Sequence, residues 1–380
     1  MKRVFLFLSC FMFIIPVFVK AEDVLLAPKA KSVLVMEPST GSIIYERNSH
    51  EKLHPASMTK MMTMLLIIES VEKGIINLDD MVTVSSNASS MGGSQILLET
   101  GEKMSVNDLL KGIAVASGND AAVAMAEKIG GTEEAFVAMM NERAKELGLN
   151  DTNFKNVHGL DDVNHYSSAY DMAMIAKELV KHPKILEFTS IYEDYLRKGT
   201  DRAFWLVNTN KLVRFYDGVD GLKTGYTSEA GHCLTATANI DGMRIIAVVM
   251  GEPDSNTRSS EVSSIFDYVY AQYALDKVVT KDTDLGEYDV DKGKVNKIKV
   301  APIEDVTILH KKAEKMDNVT YYIEVDKLIA PINIGNLIGK LTLKQNGVVI
   351  KSVPLTVSEN VSKANIFEVF WKNLKDTLSI

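Results

Sequence analysis

Three short motifs stand in order along this chain: Ser57-Met58-Thr59-Lys60, Ser117-Gly118-Asn119 and Lys223-Thr224-Gly225. Together they contain the parts of a serine acyl-transfer site: a nucleophile with its base, a proton relay with an amide, and a cationic strand to dock a substrate. A serine hydroxyl attacks only after a base takes its proton, and an ordinary lysine, with a pKa of about 10.4, is already protonated at neutral pH. Burial and a second cation both lower a lysine pKa. Lys60 is therefore the candidate base, Ser57 the nucleophile, and Lys223 the cation that perturbs Lys60.

Spacing alone does not select these copies. S-x-x-K recurs at Ser49 to Lys52 and at Ser70 to Lys73, and S-x-N recurs at Ser85 to Asn87 and Ser358 to Asn360, whereas K-T-G is unique. Context favours Ser57, which follows Pro55-Ala56 and opens the apolar run Met61 to Ile68. That run predicts a buried helix whose first turn carries the serine, with Lys60 on the same face three residues on. Ser49 is expected in a solvated loop and Ser70 at a helix tail. Ser117 and Asn119 fall between two helices, where Gly118 permits a tight turn. The Ser117 hydroxyl can return a proton to a leaving amine, and the Asn119 amide can hold substrate and Lys60 together; capping the next helix is their competing use. Lys223, Thr224 and Gly225 read as a strand whose edge pairs with an extended peptide, Gly225 allowing close approach. The main-chain N–H groups of Ser57 and Tyr226 are the candidate oxyanion donors.

The elements that must position these residues follow from the pattern. Lys31 to Met36 and Ser42 to Glu46 predict a hairpin. Val106 to Val115, Ala121 to Ile129, Glu133 to Leu147 and Ser168 to Val180 predict helices. Leu222 to Thr227, His232 to Ala238 and Arg244 to Met250 return to strands, which can join the hairpin in one antiparallel sheet. The fold class is α+β, an antiparallel sheet with a helical cluster. From residue 285 short β-like pieces predict a small all-β domain over 285–361. Residues 362–380 predict an amphipathic helix, with Phe367, Phe370, Trp371, Leu374 and Leu378 on one stripe.

Residues 1–21 read as a signal peptide: Lys2 and Arg3, an apolar stretch to Val19, and a cleavage site at Ala21, with an uncleaved anchor as the alternative. The catalytic unit is then 22–284. Its loss of Lys2, Arg3 and Lys20 takes the formal net charge from -8 to -11, which argues against nucleic acid as a partner. Cleavage leaves Cys233 as the sole cysteine, so no intramolecular disulfide and no cysteine-based metal site is indicated.

The chain resembles the serine-type D-alanyl-D-alanine carboxypeptidases, the low-molecular-mass penicillin-binding proteins. The resemblance rests on Pro55 to Thr63, Ser117 to Ala121, His158-Gly159-Leu160-Asp161 with Tyr166-Ser167-Ser168, and Asp220 to Gly225. It implies a β-lactamase/transpeptidase-like fold and removal of the terminal D-alanine from peptidoglycan stem pentapeptides through an acyl-enzyme, with β-lactams acylating the same serine. It implies that Arg258 binds the substrate's terminal carboxylate, a role suited to a guanidinium fork. Tyr226 departs from relatives that carry histidine there. It also implies an exported enzyme held peripherally at the outer face of the cytoplasmic membrane by the terminal helix, which is too short and charged to span.

Two rivals share the motifs. A serine β-lactamase needs a glutamate-activated water, and Glu146-Leu147-Gly148-Leu149-Asn150 fits its pattern only superficially, because Glu146 belongs to a helix ending at Gly148. A wall-binding scaffold would keep the fold without catalysis. His158 and His165, near Asp161 and Asp162, lack a spacing that aims both rings at one ion, so no metal and no cofactor is expected.

Overall fold

The structure is a computed structural model and describes residues 24–314, 316–366 and 368. The leader (1–21) and the terminal stripe from Phe367 to Leu378 lie outside the described residues. Strands β1 (Ser32–Glu37), β2 (Ser42–Arg47), β3 (Val219–Thr227), β4 (Gly231–Ile240) and β5 (Met243–Glu252) form one sheet in the order β2-β1-β5-β4-β3. Every pairing in it is antiparallel. The strands alternate between two cores, as a period of two dictates. Leu34, Met36, Ile246 and Val248 face one core, and Val33, Val35, Ala247 and Val249 face the other.

The first core holds the helical cluster: α1 (Lys60–Glu72), α2 (Val106–Ala116), α3 (Asn119–Gly130), α4 (Glu133–Glu146), α5 (Ala169–Leu179) and α6 (Pro183–Thr189). Helix α1 is buried all round from Lys60 to Ser70, which is why its sequence shows an unbroken apolar run rather than a stripe. Ser105, Thr132 and Ser168 cap α2, α4 and α5 by accepting backbone N–H bonds from Asp108, Ala135 and Asp171. The opposite core is closed by α7 (Ser255–Gln272), through Val262, Ile265, Phe266 and Val269. The sequence reading did not include α7, although Asp254 caps it on the N–H groups of Asn256 and Thr257.

Three local readings are corrected. Ser57 sits in a 3-10 turn, Ala56–Thr59, and α1 starts at Lys60 rather than at the serine. Ser49 is buried and donates to Glu46 Oε2 at 2.6 Å, and Ser70 is buried within α1 and donates to the Leu66 carbonyl at 2.7 Å. Both decoy lysines stay wet, with Lys52 and Lys73 side chains 48% and 64% exposed, so neither pair holds a desolvated base.

A β-rich region with its own core follows. Its six-stranded sheet draws on strands from Glu287–Asp291 through Val348–Val357 in the chain, and Tyr273–Val279, which precedes residue 285, pairs with Val306–Lys311. Leu275 and Leu309 pack on the catalytic core, and Ser39 Oγ lies 3.1 Å from Thr307 Oγ1, so the two regions touch at that ladder.

Candidate active site

The nucleophile turn is fixed by close backbone contacts. Ala56 has a φ of +46°, and a Cβ on Gly159 would fall 1.9 Å from the Ala56 carbonyl oxygen, so the loop at 158–161 presses directly on the turn. From the other side, a Cβ on Gly225 would lie 2.7 Å from the Pro55 carbonyl oxygen and 3.2 Å from Ser57 N. Glycine at 225 is thus required by space: β3 runs against the turn that carries Ser57.

Lys60 is fully buried, and its Nζ lies 3.1 Å from Ser57 Oγ, 2.6 Å from Asn119 Oδ1 and 2.7 Å from the His158 carbonyl oxygen. Two of these neighbours can only accept. A neutral amine has two N–H donors and one lone pair, so donating to Asn119 and His158 leaves the lone pair for the Ser57 hydroxyl. Burial and then the Lys223 charge hold the Lys60 pKa well below the usual lysine range, against an opposing pull from Asp120. Asn119 Nδ2 donates to the Gly92 carbonyl at 2.7 Å, which fixes its oxygen toward Lys60. Its side chain does not cap α3. Ser117 ends α2 in a left-handed conformation, with φ of +63°.

Lys223 is equally buried; its Nζ donates to the Thr224 carbonyl at 3.0 Å, and burial and Arg258 bring its pKa down to about 7. Thr224 Oγ1 donates to Thr209 Oγ1 at 2.7 Å. Arg258, on the first turn of α7, is 6% exposed, and its Nε meets no acceptor. Among the described residues no ion pair involves Lys60, Lys223 or Arg258, a costly arrangement unless an anion completes it.

A cleft of about 570 Å³ brings Ser57, Ser117, Thr224, Gly225, Tyr226 and Arg258 to one surface. Lys60, Asn119 and Lys223 lie buried behind that wall. Tyr226 is exposed and stacks on His232, ring centroids 4.3 Å apart. Lys211 and Phe215 line the outer wall, and nothing in the sequence had singled them out. Asp120 was also missed: it accepts from the N–H groups of Ile96, Leu98 and Ala121 and so fixes the loop beside Asn119.

Glu146 lines a separate cleft with Glu69 and Glu178 and pairs with Arg143 at 3.0 Å. The two loop histidines serve the backbone. His165 Nδ1 accepts from Lys155 N–H, which leaves Nε2 to donate to Thr59 Oγ1 at 2.8 Å, and His158 Nδ1 accepts from Leu160 N–H. Burial holds their pKa values down to about 4 and about 3, the Lys60 charge adding to the latter.

An α+β core with a desolvated lysine against a serine defines a serine acyl-transfer enzyme, and comparison with known proteins narrows the class. Residues 19–254 match the D-alanyl-D-alanine carboxypeptidase family, and residues 273–363 match the penicillin-binding protein 5 C-terminal domain. The D-alanyl-D-alanine carboxypeptidase DacF of Bacillus subtilis is 50% identical over 352 residues, covering 92% of this chain and 90% of its own. Penicillin-binding protein 5 from Haemophilus influenzae superposes with a TM-score of 0.73 at 34% identity, over 90% of this chain and 99% of that one. Ampicillin-bound penicillin-binding protein D2 from Listeria monocytogenes aligns at 29% identity with a TM-score of 0.57, over 64% of this chain and 98% of that one. This chain belongs to the D-alanyl-D-alanine carboxypeptidase family and is a serine peptidase of that activity.

Proposed function

We propose that Ser57 is the nucleophile that removes the terminal D-alanine of peptidoglycan stem pentapeptides, with Lys60 as its base. The observation that carries this reading is the lone pair of Lys60, which two obligate acceptors direct at Ser57 Oγ. The Ser57 oxygen attacks the carbonyl carbon of the penultimate D-alanine as its proton passes to Lys60 Nζ. The N–H groups of Ser57 and Tyr226 stabilise the oxyanion, and the closeness of Gly225 to Ser57 N supports that pairing. Arg258 and Lys223 hold the terminal carboxylate end, and Ser117 relays the proton from Lys60 to the departing D-alanine amine, its own hydroxyl proton being replaced by the one Lys60 took from Ser57. Water then releases the shortened peptide from the acyl-enzyme. β-Lactams acylate the same serine.

The test is free D-alanine released from a peptide ending in D-Ala-D-Ala, with Ser57→Ala as control. Release that requires Ser57 supports the assignment; undiminished release by Ser57→Ala overturns it. A wall-binding scaffold would keep its cellular role with that substitution.

The cellular address is part of the same reading. The leader delivers the enzyme to the outer face of the cytoplasmic membrane, and the stripe from Phe367 to Leu378 holds it there peripherally. Among the described residues no helix is long and apolar enough to cross a membrane. Unchanged liposome binding after deletion from Ala364 onward would refute the anchor.

A further inference from the structure

Behind Arg258 lies a cluster of titratable groups that the proposed reaction does not use. Glu252, at the end of β5, is 1% exposed, and neither of its oxygens meets a donor. Arg258 and Glu261 stand three residues apart on α7, on the same face of a helix that packs against β5. Glu261 reaches Glu252 as a second carboxyl group, and its own oxygens accept from the Lys29 N–H at 3.3 Å. The other charged or titratable groups around the pair are Asp254 ahead of α7, Arg47 on β2, His232 and Cys233 on β4, and Lys31, whose side chain packs on Gly251. Two carboxyl groups can hydrogen-bond to each other only when at least one of them carries a proton.

We propose that Glu252 is a positioning residue that sets the charge behind Arg258: as a neutral acid donating to Glu261 it leaves the guanidinium free for the substrate's terminal carboxylate, and as a carboxylate it weakens that binding. The proposal rests on the assignment of Arg258 to the substrate carboxylate. Burial, reinforced by Glu261 and opposed by Arg47, pushes the Glu252 pKa up to about 8. Below that pH the group is neutral and Arg258 faces the cleft with its charge undiminished. Above it, a second anion competes for the same guanidinium. By linkage, a bound substrate carboxylate disfavours ionisation of Glu252, so the effect falls on KM rather than on kcat.

The experiment measures KM and kcat for D-alanine release from a D-Ala-D-Ala peptide between pH 6.5 and 9.5. It uses the full chain and the variants Glu252→Gln, Glu261→Gln and Arg258→Gln. The native KM is expected to rise roughly five- to tenfold as pH passes about 8, the effect of one partly screened charge. Glu252→Gln should lack that rise. Glu261→Gln should move it to lower pH, because the carboxylate that retains the proton is gone. Lys223 titrates near 7 and adds its own step, which the two glutamate variants retain. A Glu252→Gln enzyme that keeps the native rise overturns this proposal. Arg258→Gln separates the two levels: an unchanged KM would show that the assignment of Arg258 itself fails, whereas a raised KM beside an unaltered Glu252→Gln profile would remove the Glu252 proposal alone.

Discussion

Replacing Lys223 by methionine should make this enzyme more stable at pH 6 while weakening its D-alanine release. The buried ammonium has its pKa brought down from 10.5 to about 7 by burial and Arg258. A depression of that size corresponds to roughly 4–5 kcal/mol of native-state penalty on the charged form. Below pH about 7 both the folded and unfolded chains carry the proton, and the folded state bears the whole penalty. Between about 7 and 10.5 the unfolded chain binds a proton that the folded chain does not, so native stability rises with pH. Methionine has similar length and no charge to desolvate. It forfeits the 3.0 Å bond to the Thr224 carbonyl, worth about 1 kcal/mol. The expected net gain is therefore about 2–4 kcal/mol at pH 6, shrinking by roughly 3 kcal/mol at pH 9.5. Urea denaturation of both proteins at the two pH values reads the difference directly, with D-alanine release followed in parallel. A variant less stable at pH 6, or a stability difference identical at both pH values, would refute the desolvation argument.

Three further outcomes follow from the same geometry. Gly225→Ala places a methyl group 2.7 Å from the Pro55 carbonyl oxygen; it should cost about 1–3 kcal/mol in stability and slow penicillin acylation of Ser57 by roughly 100-fold, as labelling rates would show. Acylation should fall as pH drops through the lowered Lys60 pKa, since protonation fills the lone pair that takes the serine proton, and Lys223→Met should shift that limb to higher pH by removing a neighbouring cation; stopped-flow acylation between pH 5 and 9 would test both. Asp120→Ala strands the N–H groups of Ile96, Leu98 and Ala121 and should cost about 3–5 kcal/mol in urea denaturation, with D-alanine release impaired through displacement of the loop beside Asn119.

What was legible in the sequence was whatever repeats with a local period or a fixed chemistry. The sheet strands alternate between two cores, and α2, α4 and α5 carry serine or threonine caps, so their spans emerged to within a few residues. Helix α7 escaped because its first half, Ser255 to Glu261, is polar, and its apolar face appears only at Val262, Ile265, Phe266 and Val269. The 3-10 turn at Ser57 escaped for a different reason. It is imposed from outside, by Gly159 against the Ala56 carbonyl and Gly225 against Pro55, and residues about 100 and 170 positions away leave no local signal. The Lys60 environment was half legible: Lys223 and Asn119 were named, whereas the His158 carbonyl, a backbone group, could not be read from residue types.

The electrostatics of the cleft then explain why an acidic chain can recognise an anion. Its formal net charge is -8, yet Lys60, Lys223 and Arg258 are buried together, and among the described residues none forms an ion pair. Asp120 opposes the lowering of the Lys60 pKa and Glu252 that of Arg258, and each carboxyl group is occupied differently. Asp120 accepts three backbone N–H bonds, and Glu252 meets another carboxyl group, which favours its neutral form. Burial and then mutual repulsion lower the pKa of Lys60 and of Lys223, but a guanidinium keeps its charge. On the proposed assignment, one crowded set of cations therefore serves two unlike ends: a lysine with a lowered pKa as the base, and a fixed positive charge for the substrate carboxylate. A fixed carboxylate paired with Lys60 would draw its pKa back up, and one paired with Arg258 would take the place of the substrate carboxylate in the proposed reaction.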